Sequence, residues 1–264
     1  ATAALFVATF RAAPGAAVAL ARRLAVIAAL ATLALLALRF GIRAGRISGM
    51  GLAGAVDPMM LGLIWDSPLG NAAMWRIAGA VLILGLLVKG ALGRAASLLG
   101  ALMLALSYTF VGHALGDPRW VLAGLLAVHL LAVAFWVGAL APLYAATAQP
   151  GGAALMHRIG VIASGTVAAQ GLVGQVDAWL MVGTVAALIG PAYGLTLLAK
   201  LGAVAVLLGL AAGNKLRLVP ALAAGDAAAA NRLHRAIRLE GVAVALILLA
   251  TATLTTVTTP PVNL

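Results

Sequence analysis

Apolar runs about 20 residues long recur from one end of this sequence to the other. A helix rises ~1.5 Å per residue, so ~20 apolar residues cross the ~30 Å hydrocarbon core of a bilayer. In lipid every backbone N–H and C=O must be satisfied inside the segment, which makes the helix the solution for runs of this length. Complete spans are expected at residues 20–40, 72–89, 95–111, 120–146, 157–182, 193–216 and 237–256. Residues 1–10 are apolar but too short to cross, and read as the stub of a first helix. The expected fold is all-α: a polytopic transmembrane bundle of about eight helices, forming one domain over residues 1–264. Composition excludes the main rivals. The chain is 64% hydrophobic and 9% charged, where soluble domains are ~45–50% apolar and ~25% charged. An ordinary soluble enzyme and a disordered chain are both excluded. The absence of cysteine removes thiolate metal sites, iron–sulfur clusters and disulfides, so a soft-metal site must use Met or His.

Glycine and proline punctuate the connections, at Pro14–Gly15, Asp57–Pro58, Ser67–Pro68, Asp117–Pro118, Pro150–Gly151 and Gly190–Pro191. Asp117–Pro118 reads as a helix start, with proline in the first turn. One long loop is expected over residues 41–70, carrying Met50, Met59 and Met60. A second connection, 214–238, is the most basic segment. The net charge of +11 would suggest nucleic acid in a soluble protein, but no reading motif accompanies it. In a membrane protein these charges set orientation and touch anionic lipid. Most Lys and Arg, including those of residues 214–238, collect on one side of the expected topology, and Arg39, Arg43, Arg46, Arg76 and Arg119 lie on the other. The positive-inside rule puts the first set in the cytoplasm. The methionine-bearing loop, the His113 turn and the C-terminus then face outward.

Ionisable groups at membrane depth are costly, and each is a functional hypothesis. His129, Asp177, Lys200 and Glu240 stand within or at the edge of expected spans. His129 lies roughly 13 Å from the outer surface, Lys200 about 10 Å and Asp177 about 9 Å. All three fall in the outer half of the bilayer. His129 and Trp136 are seven apart and share a helix face. Thr166, Gln170, Asp177, Met181 and Thr184 form one polar stripe flanked by Gly171 and Gly174, which permit close helix contact. Two readings stand for Asp177 and Lys200: a structural ion pair, or groups shaping the field along an ion path. Glu240, beside Arg238 and within reach of Asn214, reads as an anchor at the cytoplasmic end. His113 sits at an outward turn where a metal can arrive. His157 and His234 read as solvated or lipid-facing. The adjacent thioethers of Met59 and Met60 suit capture of Cu(I). There is no Walker A sequence, no HExxH and no plausible triad, so the chain is read as a non-enzyme.

Several segments recur together in a recognisable order: Ser67–Pro68–Leu69–Gly70 before Trp75–Arg76, Gly112–His113–Ala114, and Val128–His129–Leu130 before Phe135–Trp136–Val137–Gly138. Asp177–Ala178–Trp179, Tyr193–Gly194 before Lys200, Asn214–Lys215–Leu216–Arg217 before Pro220, and Arg238–Leu239–Glu240 follow. In this order the chain resembles the copper resistance protein D (CopD/PcoD) family of bacterial inner-membrane proteins. The resemblance implies an eight-helix domain that moves or handles copper in the cytoplasmic membrane, often beside a periplasmic CopC-type copper carrier. It implies that His113 and His129 are the copper-linked histidines, with Trp136 packed below the second. The family commonly has Asn where this chain has Asp177.

The leading expectation is a multi-pass inner-membrane protein that binds copper ion and moves it inward from the periplasm. Copper would enter near Met59, Met60 and His113 and pass to His129, with Trp136, Gln170, Asp177, Met181 and Lys200 along the path. Two alternatives are a b-type haem electron-transfer protein, since two histidines on neighbouring helices can ligate haem, and a non-transporting copper assembly factor.

Overall fold

A computed structural model describes the backbone of residues 14–111, 118–182 and 192–256. It does not describe the side chains at 169, 172–173, 175–182, 192–193, 227 and 255–256. The described residues form helices and no strand. In chain order these are α1 (Gly15–Ser48), α2 (Leu52–Ala55), α3 (Pro58–Trp65), α4 (Pro68–Ile83), α5 (Ala91–Leu106), α6 (Arg119–Ala146), α7 (Gly152–Val182), α8 (Ala192–Gly213), α9 (Val219–Ala223) and α10 (Ala227–Thr256). A 3₁₀ turn, Leu84–Leu87, extends α4, and another, Ser107–Phe110, extends α5. A π turn, Asn214–Leu218, joins α8 to α9. Six of the described helical segments are long and apolar enough to cross a membrane. The all-α polytopic architecture expected from the hydropathy pattern is therefore present. The expected stub at 1–10 and the His113 turn lie outside the described residues.

Chain contacts divide the molecule into two compact units, Val18–Gly138 with Ala1–Ala12, and Ala139–Leu264 with Ala13–Ala17. In the first unit, α1 buries Ala21, Ala25 and Ala29 while Leu24, Ile27, Leu30, Leu35 and Leu38 are exposed. Small residues inward and large apolar residues outward is the pattern of a helix whose outer solvent is hydrocarbon. α4 and α5 pack as an antiparallel pair around a turn at Gly90, whose φ of 107° is open to glycine. Their backbones meet at Gly79 and Gly100. A Cβ on Gly79 would lie 2.8 Å from the Gly100 carbonyl oxygen, and one on Gly100 would lie 2.5 Å from that of Gly79. Val at either position must part the helices. We expect Gly79→Val or Gly100→Val to cost about 1–3 kcal/mol, read as a lowered unfolding midpoint in detergent. An unchanged midpoint would contradict this close approach.

Residues 41–70 are not the loop expected from the drop in hydropathy. α1 runs on through Ser48, because Arg39, Arg43 and Arg46 lower hydropathy without lowering helix propensity. It stops where Gly49 and Gly51 take positive φ. After the uncapped turn of α2, both α3 and α4 begin with proline behind a side-chain cap. Asp57 Oδ1 accepts from the Met60 amide at 2.9 Å. Ser67 Oγ accepts from the Leu69 amide at 3.2 Å and donates to the Ile64 carbonyl at 2.6 Å. Ser67→Ala should destabilise the start of α4 by about 1 kcal/mol, measurable as a small fall in thermal midpoint. Pro118 opens α6 as expected, its carbonyl accepting from the Val121 and Leu122 amides.

In the second unit, Met156, Val219, Leu233 and Ile237 form a buried cluster, with Leu140, Leu143, Leu218 and Leu222 packed against it. Residues 214–238 are likewise not a loop. They form the π turn, α9 and the first turns of α10. Alanine-rich polar sequence is poor in hydropathy but rich in helix propensity, so α10 starts ten residues before the expected span. Gly225, at φ 84°, makes the turn. Asp226 Oδ1 then accepts from the Ala228 amide at 2.8 Å, and the Asp226 carboxylate pairs with Arg232.

Candidate functional site

The sequence-predicted residues fall in both units. Met59 and Met60 stand on α3, which packs on α4. Met59 is 71% exposed, and Met60 is half-buried. These thioethers sit on a capped helix and not on an irregular loop. His129 and Trp136 are both half-buried on α6, seven residues apart, as the helical spacing predicts. His129 is engaged in an interaction within the structure.

Gln170 on α7 and Lys200 on α8 belong to the second unit, where both are half-buried and neither is without a partner. The α7 backbone carries Asp177 and Met181, but their side chains lie outside the described residues, as does His113 altogether. Thr166 is half-buried and donates to the Ala163 carbonyl at 2.8 Å. Gly171 and Gly174 are exposed, with no described atom within 4 Å of where a Cβ would stand. Much of what surrounds these two glycines lies outside the described residues, whereas Gly79 and Gly100 bring two described helix backbones close. Among the described residues no group of three or more His, Asp or Glu converges as a metal site.

Three polar arrangements in the second unit give it its internal wiring. Asn214, at the start of the π turn, donates from Nδ2 to Glu240 Oε1 at 2.6 Å. Glu240 is only 5% exposed. The anchor reading of Glu240 thus acquires a definite donor, placed by a turn type that recurs at functional positions. Lys215, from the same turn, reaches Ser164 Oγ at 2.6 Å. Its stem lies over Gly160, where a Cβ would be 3.4 Å away. His157 is exposed, in line with its solvated reading. His234 is not merely solvated or lipid-facing: its ring stacks on Tyr144 at 4.2 Å between centroids, and Nε2 lies 3.1 Å from the Tyr144 carbonyl oxygen. Sequence spacing could not reveal that contact, because the two residues are ninety positions apart.

The first unit holds a buried cation that the sequence reading placed among outward flanking charges. Arg76 is 9% exposed on α4. Its Nε donates to Ser107 Oγ at 3.1 Å, and its guanidinium carbon lies 4.5 Å from the Tyr108 ring centroid. The signal that could have found it is position. Arg76 stands eight residues after Pro68, about 12 Å along the helix.

Helices of this length, apolarity and inward-facing small residues define a multi-pass helical membrane protein. Residues 153–254 match the family model of CopD, copper resistance protein D. The matched stretch takes in α8, the π turn, α9 and nearly all of α7 and α10, with Asn214 and Glu240 inside it. The resemblance read from the sequence therefore holds over this part of the chain. No curated protein and no solved structure matches the chain.

Proposed function

We propose that the protein binds copper and carries it across the cytoplasmic membrane from the periplasmic side. The observation that carries this reading is the match of residues 153–254 to copper resistance protein D, in a chain with six described membrane-length apolar helices. On this reading the exposed thioether of Met59, with Met60, takes up Cu(I) at the outer face, a soft ligand for a soft ion. His113 and His129 are the imidazole ligands on the way inward, and Trp136 lies one heptad below His129 on the same face of α6. Gln170, Asp177 and Met181 continue the path on α7. Lys200 sets a limit on it, because an ammonium close to copper repels the ion. Its engagement within the structure is what this route requires.

The excess of Lys and Arg in residues 214–238 supports a cytoplasmic position for that segment and a periplasmic C-terminus. A periplasmic CopC-type copper carrier is the partner the family suggests, delivering its ion at the Met59 face. The test is copper per chain in detergent-purified protein, with an absorption spectrum from the same sample. About one copper per chain without a Soret band supports the reading and justifies a flux assay in liposomes. A Soret band with little copper overturns it and moves the histidines to haem ligation.

A further inference from the structure

Arg76 lines a cavity of about 220 Å³ within the first unit. Thr32 from α1, Leu104 and Tyr108 from the α5 end, and Leu130 and Leu131 from α6 form its other walls, with Ala134 at one side. The volume is roughly seven times the ~30 Å³ share of a liquid water. The guanidinium uses Nε on Ser107, and among the described residues neither terminal amino group has a hydrogen-bond partner. No described carboxylate pairs with it. Asp57 caps α3 and Asp66 is exposed at the end of that helix. The Arg232–Asp226 ion pair lies in the other unit. Arg39 is a second positive charge acting on the same group. A buried charge without a counter-charge is costly, and long charged side chains are almost never buried unless paired.

We propose that this cavity binds a phosphate oxyanion carried by a membrane amphiphile, with Arg76 as its counter-charge. Guanidinium presents a planar fork of donors that fits phosphate oxygens two at a time. The position suits a headgroup. Ser107 and Tyr108 lie in the last turn of the Ala91–Phe110 span, at the level where lipid headgroups meet hydrocarbon. The leucine walls suit the first methylenes of an acyl chain and do nothing for a hydrated ion. A free phosphate is the other source of the same chemistry. The cavity belongs to the first unit and the basic segment 214–238 to the second.

The test uses the full chain in a neutral detergent, titrated with phosphatidylglycerol, phosphatidylcholine or inorganic phosphate, and read by native mass spectrometry and thermal midpoint. Wild type should retain one phosphatidylglycerol per chain and be stabilised by it, with phosphatidylcholine at least tenfold weaker. R76Q should lose that retained lipid. Ala134→Leu, which narrows the cavity and keeps Arg76, should lose it as well, and carries the test should R76Q fail to fold. Equal stabilisation by inorganic phosphate, lost in R76Q, keeps the oxyanion site and replaces the lipid by the free ion. Equal retention of both lipids by wild type, or retention of phosphatidylglycerol unchanged in A134L, overturns the proposal.

Discussion

Replacing His129 by Ala is expected to reduce copper from about one per chain to near zero in purified protein. Imidazole is a strong ligand for copper, and this chain has four histidines and no cysteine to compensate. Helix α6 is apolar around the site, so no nearby donor is available to take over on the same face: the flanking positions Ala132 and Val133 are aliphatic. Elemental analysis on matched wild-type and H129A preparations checks it, with helical content by circular dichroism as the control for folding. Copper retained at the wild-type level would remove His129 from the site. Met59→Leu with Met60→Leu should act differently. These thioethers are exposed on α3, so their loss should weaken uptake at low copper while leaving the stoichiometry at saturation unchanged.

Asn214→Leu is expected to lower stability by about 1–3 kcal/mol, the cost of leaving a buried polar group short of a partner. The Asn214 amide is 2.6 Å from Oε1 of a carboxyl group that is 5% exposed. The pair joins the π turn to the middle of α10, elements twenty-six residues apart in sequence. Removing both polar groups should cost less than the sum of the single changes, because either single change already breaks the Asn214–Glu240 hydrogen bond. Thermal or denaturant midpoints of the four proteins in the cycle check this. Strict additivity would mean that the two side chains do not act together.

Much of the architecture was readable because hydropathy reports on lipid directly. Six of the seven complete spans expected correspond to described helices of membrane length, and α7 covers the remaining one. The misreadings have one cause. Residues 41–48 and 227–236 are charged or polar enough to resemble loops, yet alanine, arginine and leucine continue a helix through them. The candidate site was readable in part. His129 and Trp136 share a helix face because the period of 3.6 requires it. Composition marks a glycine as able to admit close approach but not which helix lies opposite; for Gly79 it is the helix that carries Gly100.

The sequence by itself determined that this chain is a multi-pass helical membrane protein, and it carried the resemblance to copper resistance protein D. Both follow from local quantities: apolar run length against bilayer thickness, and motifs in order along one chain. Only the tertiary structure decided which polar groups meet. Arg76 with Ser107, Lys215 with Ser164, His234 with Tyr144 and Asn214 with Glu240 are separated by 31, 51, 90 and 26 residues. Helical periodicity predicts neighbours three, four or seven residues apart on one helix, and is silent on which face of which helix lies opposite. That pairing is set by ridges, small residues and backbone approach between helices, which exist only once the chain has packed.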